Sequence, residues 1–128
     1  MEKISKHIHH WANGAIESIE TAEILINKRK ILFGLFFCHL AIEKQLKALF
    51  IKTKKDFPPK THNLLFLANK CNLELNDTIK LLFSKLMKFQ LEGRYPEIIQ
   101  KTPTFEKSLT LLKETKETLN WLQKTLQK

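Results

Sequence analysis

The hydrophobic positions of this chain recur with helical rather than alternating periods. Near the start, Ile8, Trp11, Ala12, Ala15, Ile19, Ala22 and Ile26 return about every 3.6 residues, while Glu17, Glu20 and Glu23 take the other side. The pattern predicts an amphipathic helix from Ser5 to Lys28. Gly14, in its interior, either weakens it relative to Ala or admits a close neighbour. The next stretch, Ile31–Ile51, is apolar nearly all round, which marks an inner helix of a bundle or a membrane span. Its uncharged run, Ile31–Ile42, is too short to cross a bilayer, and Glu43-Lys44 ends it. A buried bundle helix is therefore expected, joined to the first by the short basic connection Asn27–Lys30 as an antiparallel hairpin.

That inner helix carries one polar stripe. His39, Glu43 and Lys47 fall within a sector of about 80°, and Phe36 and Phe50 share the same face. Glu43 and Lys47 stand at i,i+4 in the favourable orientation. Two readings stay open. The stripe is a solvated strip with an internal ion pair, or it is covered, in which case its charges must be paired. A covered seam is a candidate binding or dimer-specifying site.

Pro58 and Pro59 then hold an extended turn. Thr61 is the expected N-cap of a short helix with Leu64, Leu65, Leu67 and Ala68, which puts His62 in its first turn. Asn76 or Asp77 caps a further helix carrying Ile79, Leu82, Phe83 and Leu86, with Gly93 at its end and a polar corner Arg94-Tyr95-Pro96-Glu97 after it. The last helix is expected to start around Thr102-Pro103, with Pro in its favoured first position. Its predicted apolar face is Phe105, Leu109, Leu112, Leu119, Leu122 and Leu126, interrupted by Thr115 and Lys116. Nothing reads as a strand. The sequence thus predicts an all-α fold, an up-and-down four-helix bundle with one short additional helix, in a single domain over residues 1–128.

Charge narrows the chemistry only a little. The net charge of +9 is uneven: residues 1–27 carry −2 and the remainder +11. Such a balance favours contact with polyanions, but no base-reading motif accompanies it. His7, His9 and His10 look metal-like, yet no nearby carboxylate or cysteine completes a site, so they read as an exposed N-terminal turn. Cys38 and Cys71 make no metal pattern, and free thiols are often simply small buried groups. No metal and no cofactor are expected. The opening MEKISKHIHHW lacks the apolar run of a secretory signal, which points to a cytoplasmic, reducing setting without membrane association. Phe33, Phe36, Phe37 and Phe50 point in different directions around the inner helix. A four-helix bundle cannot readily cover all four, so a homodimer is expected.

Three segments give the chain a resemblance to the HEPN domain, named for higher eukaryotes and prokaryotes. Cys38-His-Leu-Ala-Ile-Glu-Lys-Gln-Leu-Lys-Ala-Leu49 is similar to the family's Gln-Ala-x-Glu-Lys segment on its second helix, although Leu40 replaces the usual Gln. Pro59-Lys-Thr-His-Asn-Leu-Leu65 resembles its Pro-x-Thr-His-x-Leu, and Arg94-Tyr-Pro-Glu97 its Arg-Tyr-Pro-Asp/Glu corner. HEPN ribonucleases carry Arg-x4–6-His, but here no histidine follows Arg94; the last is His62. The resemblance therefore implies a non-catalytic module that binds a nucleotide or RNA phosphate, or a minimal nucleotidyltransferase partner, as half of a toxin–antitoxin-like pair. The alternative is a HEPN ribonuclease with a non-standard site. Candidate ligand-binding residues are Glu43, Lys44, Lys47, His62, Arg94 and Tyr95. Arg94 offers a planar fork for phosphate or carboxylate. Tyr95 offers a stacking ring, and Lys44 points away from the seam. The competing reading makes Arg94 a structural partner of Glu43.

Overall fold

The computed structural model describes residues 2–94 and 101–128, with backbone only at positions 2 and 91–94. They form five helices: α1 (Glu2–Asn27), α2 (Ile31–Lys54), α3 (Leu64–Lys70), α4 (Asp77–Arg94) and α5 (Phe105–Gln127). No strand occurs among the described residues. The fold is all-α: four long helices in a bundle plus the short α3. Among the described residues, helix α2 alone packs against all four other helices, as expected of a helix apolar around most of its circumference. Leu35, Cys38, Ala41, Ile42, Leu46 and Ala48 are fully buried along it. None of the described helices is long and apolar enough to cross a membrane.

The α1–α2 hairpin is closed by local hydrogen bonds. Arg29 is left-handed (φ 65°) and donates to Ile26 O at 2.9 Å; Lys30 donates to Leu25 O at 2.9 Å. Together these make a Schellman motif, here without the glycine that usually relieves the left-handed residue. The Arg29 guanidinium lies 3.4 Å from the Phe105 ring centroid, tying the hairpin turn to the start of α5. Gly34 lets the two helices approach. A Cβ there would sit 2.4 Å from Ile26 Cγ1 and 3.1 Å from the Ala22 carbonyl oxygen.

Several boundaries differ from the sequence expectation. Helix α1 begins at Glu2, earlier than Ser5, and α2 continues past Ile51 to Lys54. Asn63, not Thr61, caps α3, accepting from Phe66 N at 3.0 Å. Thr61 Oγ1 instead accepts from Asn63 N at 3.2 Å, so His62 precedes the helix rather than lying in its first turn. Asn76 caps α4 by accepting from Ile79 N at 2.8 Å, and α4 runs through Gly93 to Arg94. Helix α5 starts at Phe105, where Thr104 Oγ1 accepts from Lys107 N at 3.1 Å, so Pro103 lies outside it.

The buried face of α5 is also re-phased. It is Ser108, Leu111, Leu112, Thr115, Thr118, Leu119 and Leu122, and Leu109 points outward. Its polar members satisfy themselves within the helix. Thr115 Oγ1 donates to Leu111 O at 2.7 Å and Ser108 Oγ to Phe105 O at 2.6 Å. Lys116 turns away to pair with Glu23 at 2.9 Å.

Candidate functional site

The polar stripe of α2 is covered. His39, Glu43 and Lys47 are 0%, 3% and 6% exposed, so the solvated-strip reading is excluded. Burial of a carboxylate demands partners, and Glu43 has them. Its Oε2 accepts from Lys47 Nζ at 3.1 Å, and its Oε1 accepts from His62 Nδ1 at 2.9 Å. His39 Nε2 donates to the His62 carbonyl oxygen at 2.9 Å, and His39 Nδ1 stands 3.7 Å from Glu43 Oε1. Two side chains one turn apart on α2 thus hold His62 by its ring and by its backbone. Pro58 and Pro59 deliver the loop, and Asn63 begins α3 immediately afterwards.

The tautomer of His62 follows from these bonds. With Nδ1–H given to Glu43, a neutral imidazole carries its lone pair on Nε2. The side chain as a whole is half exposed, in contrast to the buried Glu43 that holds it. The arrangement can bind an anion when His62 is protonated, or accept a proton when it is not.

Lys47 connects the cluster to a cleft. Its ammonium lies 5.3 Å from the Trp11 ring centroid, and both residues line a cavity of about 700 Å³ between the start of α1 and the Phe57–Lys60 loop. Lys6, His7, His10 and Lys60 supply the remaining charged or titratable lining, with no carboxylate among them. Phe57 is 76% exposed, and His7 packs edge-on against it at 5.8 Å. The cleft therefore combines positive charge with aromatic faces.

Of the residues proposed from sequence, Glu43, Lys47 and His62 come together. Lys44 does not join them: it crosses Gly14 on the α1 side, in a small cleft with His10 and Glu17. Arg94 ends α4, but its side chain and all of Tyr95 lie outside the described residues. Sequence reasoning missed His39 as an anchor for the His62 backbone, and Lys6, Trp11, Phe57 and Lys60 as cleft residues. A signal was present: His7, His10 and Trp11 are spaced to share one face of α1. The three histidines are exposed, as expected, but they lie within that helix rather than in a separate turn. No group of three or more metal-ligating side chains occurs among the described residues.

The cysteines stand apart from this chemistry. Burial pushes the Cys38 thiol up to about 12, against a smaller lowering by a hydrogen bond with Thr115 and the charge of Lys116. Burial likewise raises Cys71 to about 11, and its Sγ contacts the Leu46 carbonyl oxygen at 3.5 Å. Both stay protonated near neutral pH, which is unsuitable for a nucleophile.

A helical bundle whose inner helix carries a Glu–Lys–His seam defines a small helical domain with a preformed polar site. The sequence pattern of the HEPN domain matches residues 8–125, and the chain belongs to the HEPN domain family. The crystal structure of TT1696 from Thermus thermophilus superposes with a TM-score of 0.77 at 17% identity, covering 91% of this chain and 96% of that one. That likeness establishes the fold. No curated protein matches the sequence at a significant level.

Proposed function

We propose that this protein is a non-catalytic HEPN module that binds a phosphate-bearing ligand, a nucleotide or single-stranded RNA, in the cleft beside Lys47. One observation carries the reading: Lys47, anchored by Glu43 and facing Trp11, opens into a cleft lined by further cations and no acid. Phosphates are held by such cations, and bases stack on exposed aromatic rings such as Phe57. Family resemblance extends the proposal to a cytoplasmic homodimer working beside a minimal nucleotidyltransferase, in a toxin–antitoxin-like pair. Phe33, at the start of α2 and 54% exposed, is the apolar contact the dimer would cover. Sedimentation giving only monomer at tens of micromolar contradicts the dimer.

A second reading, RNA cleavage at a non-standard site, has its own support in the Glu43–His62 pair. A carboxylate that fixes the imidazole through Nδ1 and leaves the basic lone pair on Nε2 is suited to proton abstraction. Labelled RNA and labelled ATP, each mixed with the protein at low salt, separate the readings. Saturable binding with the RNA intact supports the binding module. Cleavage that His62→Ala abolishes supports the ribonuclease, and absence of any binding rejects both.

A further inference from the structure

The other face of α1 holds a second feature. Gln45 projects from α2 and is 0% exposed, and among the described residues neither its Oε1 nor its Nε2 has a hydrogen-bond partner. A buried carboxamide with both ends unsatisfied is costly to the fold and unusual in a native interior. It lines the floor of a groove of about 660 Å³ between α1 and α5, whose walls are Ile8, Ala12 and Ile16 on one side and Leu126 on the other. At Ile16 and Gln123 this groove continues into a smaller one past Ile19 and Leu119.

The shape and the floor select an occupant. From Ile4 to Ile19 the groove follows α1 for about 22 Å, at the helical rise of about 1.5 Å per residue. A long, narrow, largely apolar trough fits a polymer better than a compact small molecule. Its walls are mainly aliphatic, with the imidazole of His9 the one ring among the lining residues, too little stacking surface for a run of bases. A carboxamide is matched by an edge presenting one donor beside one acceptor. A residue in extended backbone presents its N–H and C=O to the same side, so one residue of a strand satisfies both ends of Gln45. Alternate side chains would then meet the aliphatic walls. The charges at the two ends give a direction. Lys52, whose Nζ donates to the Leu126 carbonyl, and Lys55 lie at one end, while Glu20 lies at the other beside Glu23, whose charge Lys116 pairs.

We propose that the α1–α5 groove binds an extended polypeptide segment of a partner protein, acidic at the Lys52–Lys55 end and paired through one backbone residue with Gln45. The site is separate from the Lys47 cleft, so failure here leaves the phosphate reading standing.

The test uses a display library of nine-residue peptides panned against the intact chain, followed by synthesis of one enriched peptide with a fluorescent label. The expected peptide alternates apolar residues and carries Asp or Glu at one end. Gln45→Met, which keeps the volume and removes both polar atoms, should weaken its binding at least tenfold. Ile16→Glu, at a wall position 43% exposed, should do the same and serves if the buried variant does not fold. In the wild type, the Gln45 side-chain amide resonances should shift as the peptide saturates. The proposal is overturned if no peptide enriches, if neither folded variant weakens binding, or if the Gln45 resonances do not move. It is also overturned if the bound peptide is helical, or if ATP or self-association moves those resonances instead.

Discussion

Glu43 and His62 join the inner helix to the loop that precedes α3 through their side chains, with Oε1 and Nδ1 2.9 Å apart. The same carboxylate holds Lys47, so its removal leaves a largely buried ammonium without that partner. Breaking a buried pair costs about 3–5 kcal/mol. Because Lys47 also lines the open cleft, Glu43→Ala is expected near the lower end, about 3 kcal/mol. His62→Ala should cost less, about 1 kcal/mol, since its ring is half exposed and solvent screens the lost bond. Urea midpoints for the two variants check the ordering, and equal losses would contradict it.

The two interior glycines should respond in opposite directions. At Gly34 a methyl group meets Ile26 and the Ala22 backbone, neither free to retreat, so Gly34→Ala is predicted to destabilise by about 1–3 kcal/mol. At Gly14 the nearest atom is Lys44 Cδ at 3.0 Å, on a flexible side chain. There Gly14→Ala should stabilise by about 0.5–1 kcal/mol through helix propensity alone. Thermal melts of both variants give the signs directly.

How far the sequence exposed this architecture differs by element. Helix α2 was legible because its apolar residues occupy nearly the whole circumference, and Glu43 and Lys47 were legible as a pair from their spacing. Burial of that pair was not, because its cover comes from His62 and Trp11, distant in sequence. The cleft was missed for the same reason: His7, His10 and Trp11 matter only once Phe57–Lys60 folds against them. In α5 the apolar period misled. Ser108 and Thr115 are buried with their hydroxyls bonded to their own helix, so polar letters occupy core positions and Leu109 falls outside. Pro103 suggested a helix start that the Thr104 cap places later.

The core prediction is simple. Leu46 is fully buried and Leu49 nearly so, and each substitution to Ala should cost about 2–5 kcal/mol. That is a large part of the stability of an ordinary domain. A loss below about 1 kcal/mol at both positions would contradict the placement of α2.

The thiols give a pH-dependent signature. Cys38 and Cys71 are raised to about 12 and about 11 in the folded protein, against an ordinary value near 9. Above pH 9 the unfolded chain therefore releases protons that the folded one keeps, so stability should fall as pH rises from 9 towards 11 and 12. At pH 8 a thiol reagent should label neither cysteine in the native protein and both after unfolding. Rapid native labelling would contradict their burial.

The account rests most heavily on the cleft beside Lys47 as the place where phosphate binds. The direct measurement is fluorescence anisotropy of a labelled single-stranded RNA, titrated at several salt concentrations with the wild type, Lys47→Met and the double variant Lys6→Gln/Lys60→Gln. The account predicts saturable binding that weakens with salt. In both variants affinity should drop at least tenfold at low salt, with a shallower salt dependence as phosphate contacts are lost. Lys47→Met should keep its fold, because Glu43 retains His62. Unchanged affinity and salt slope in both folded variants would show that phosphate binds elsewhere and would contradict the assignment of the cleft.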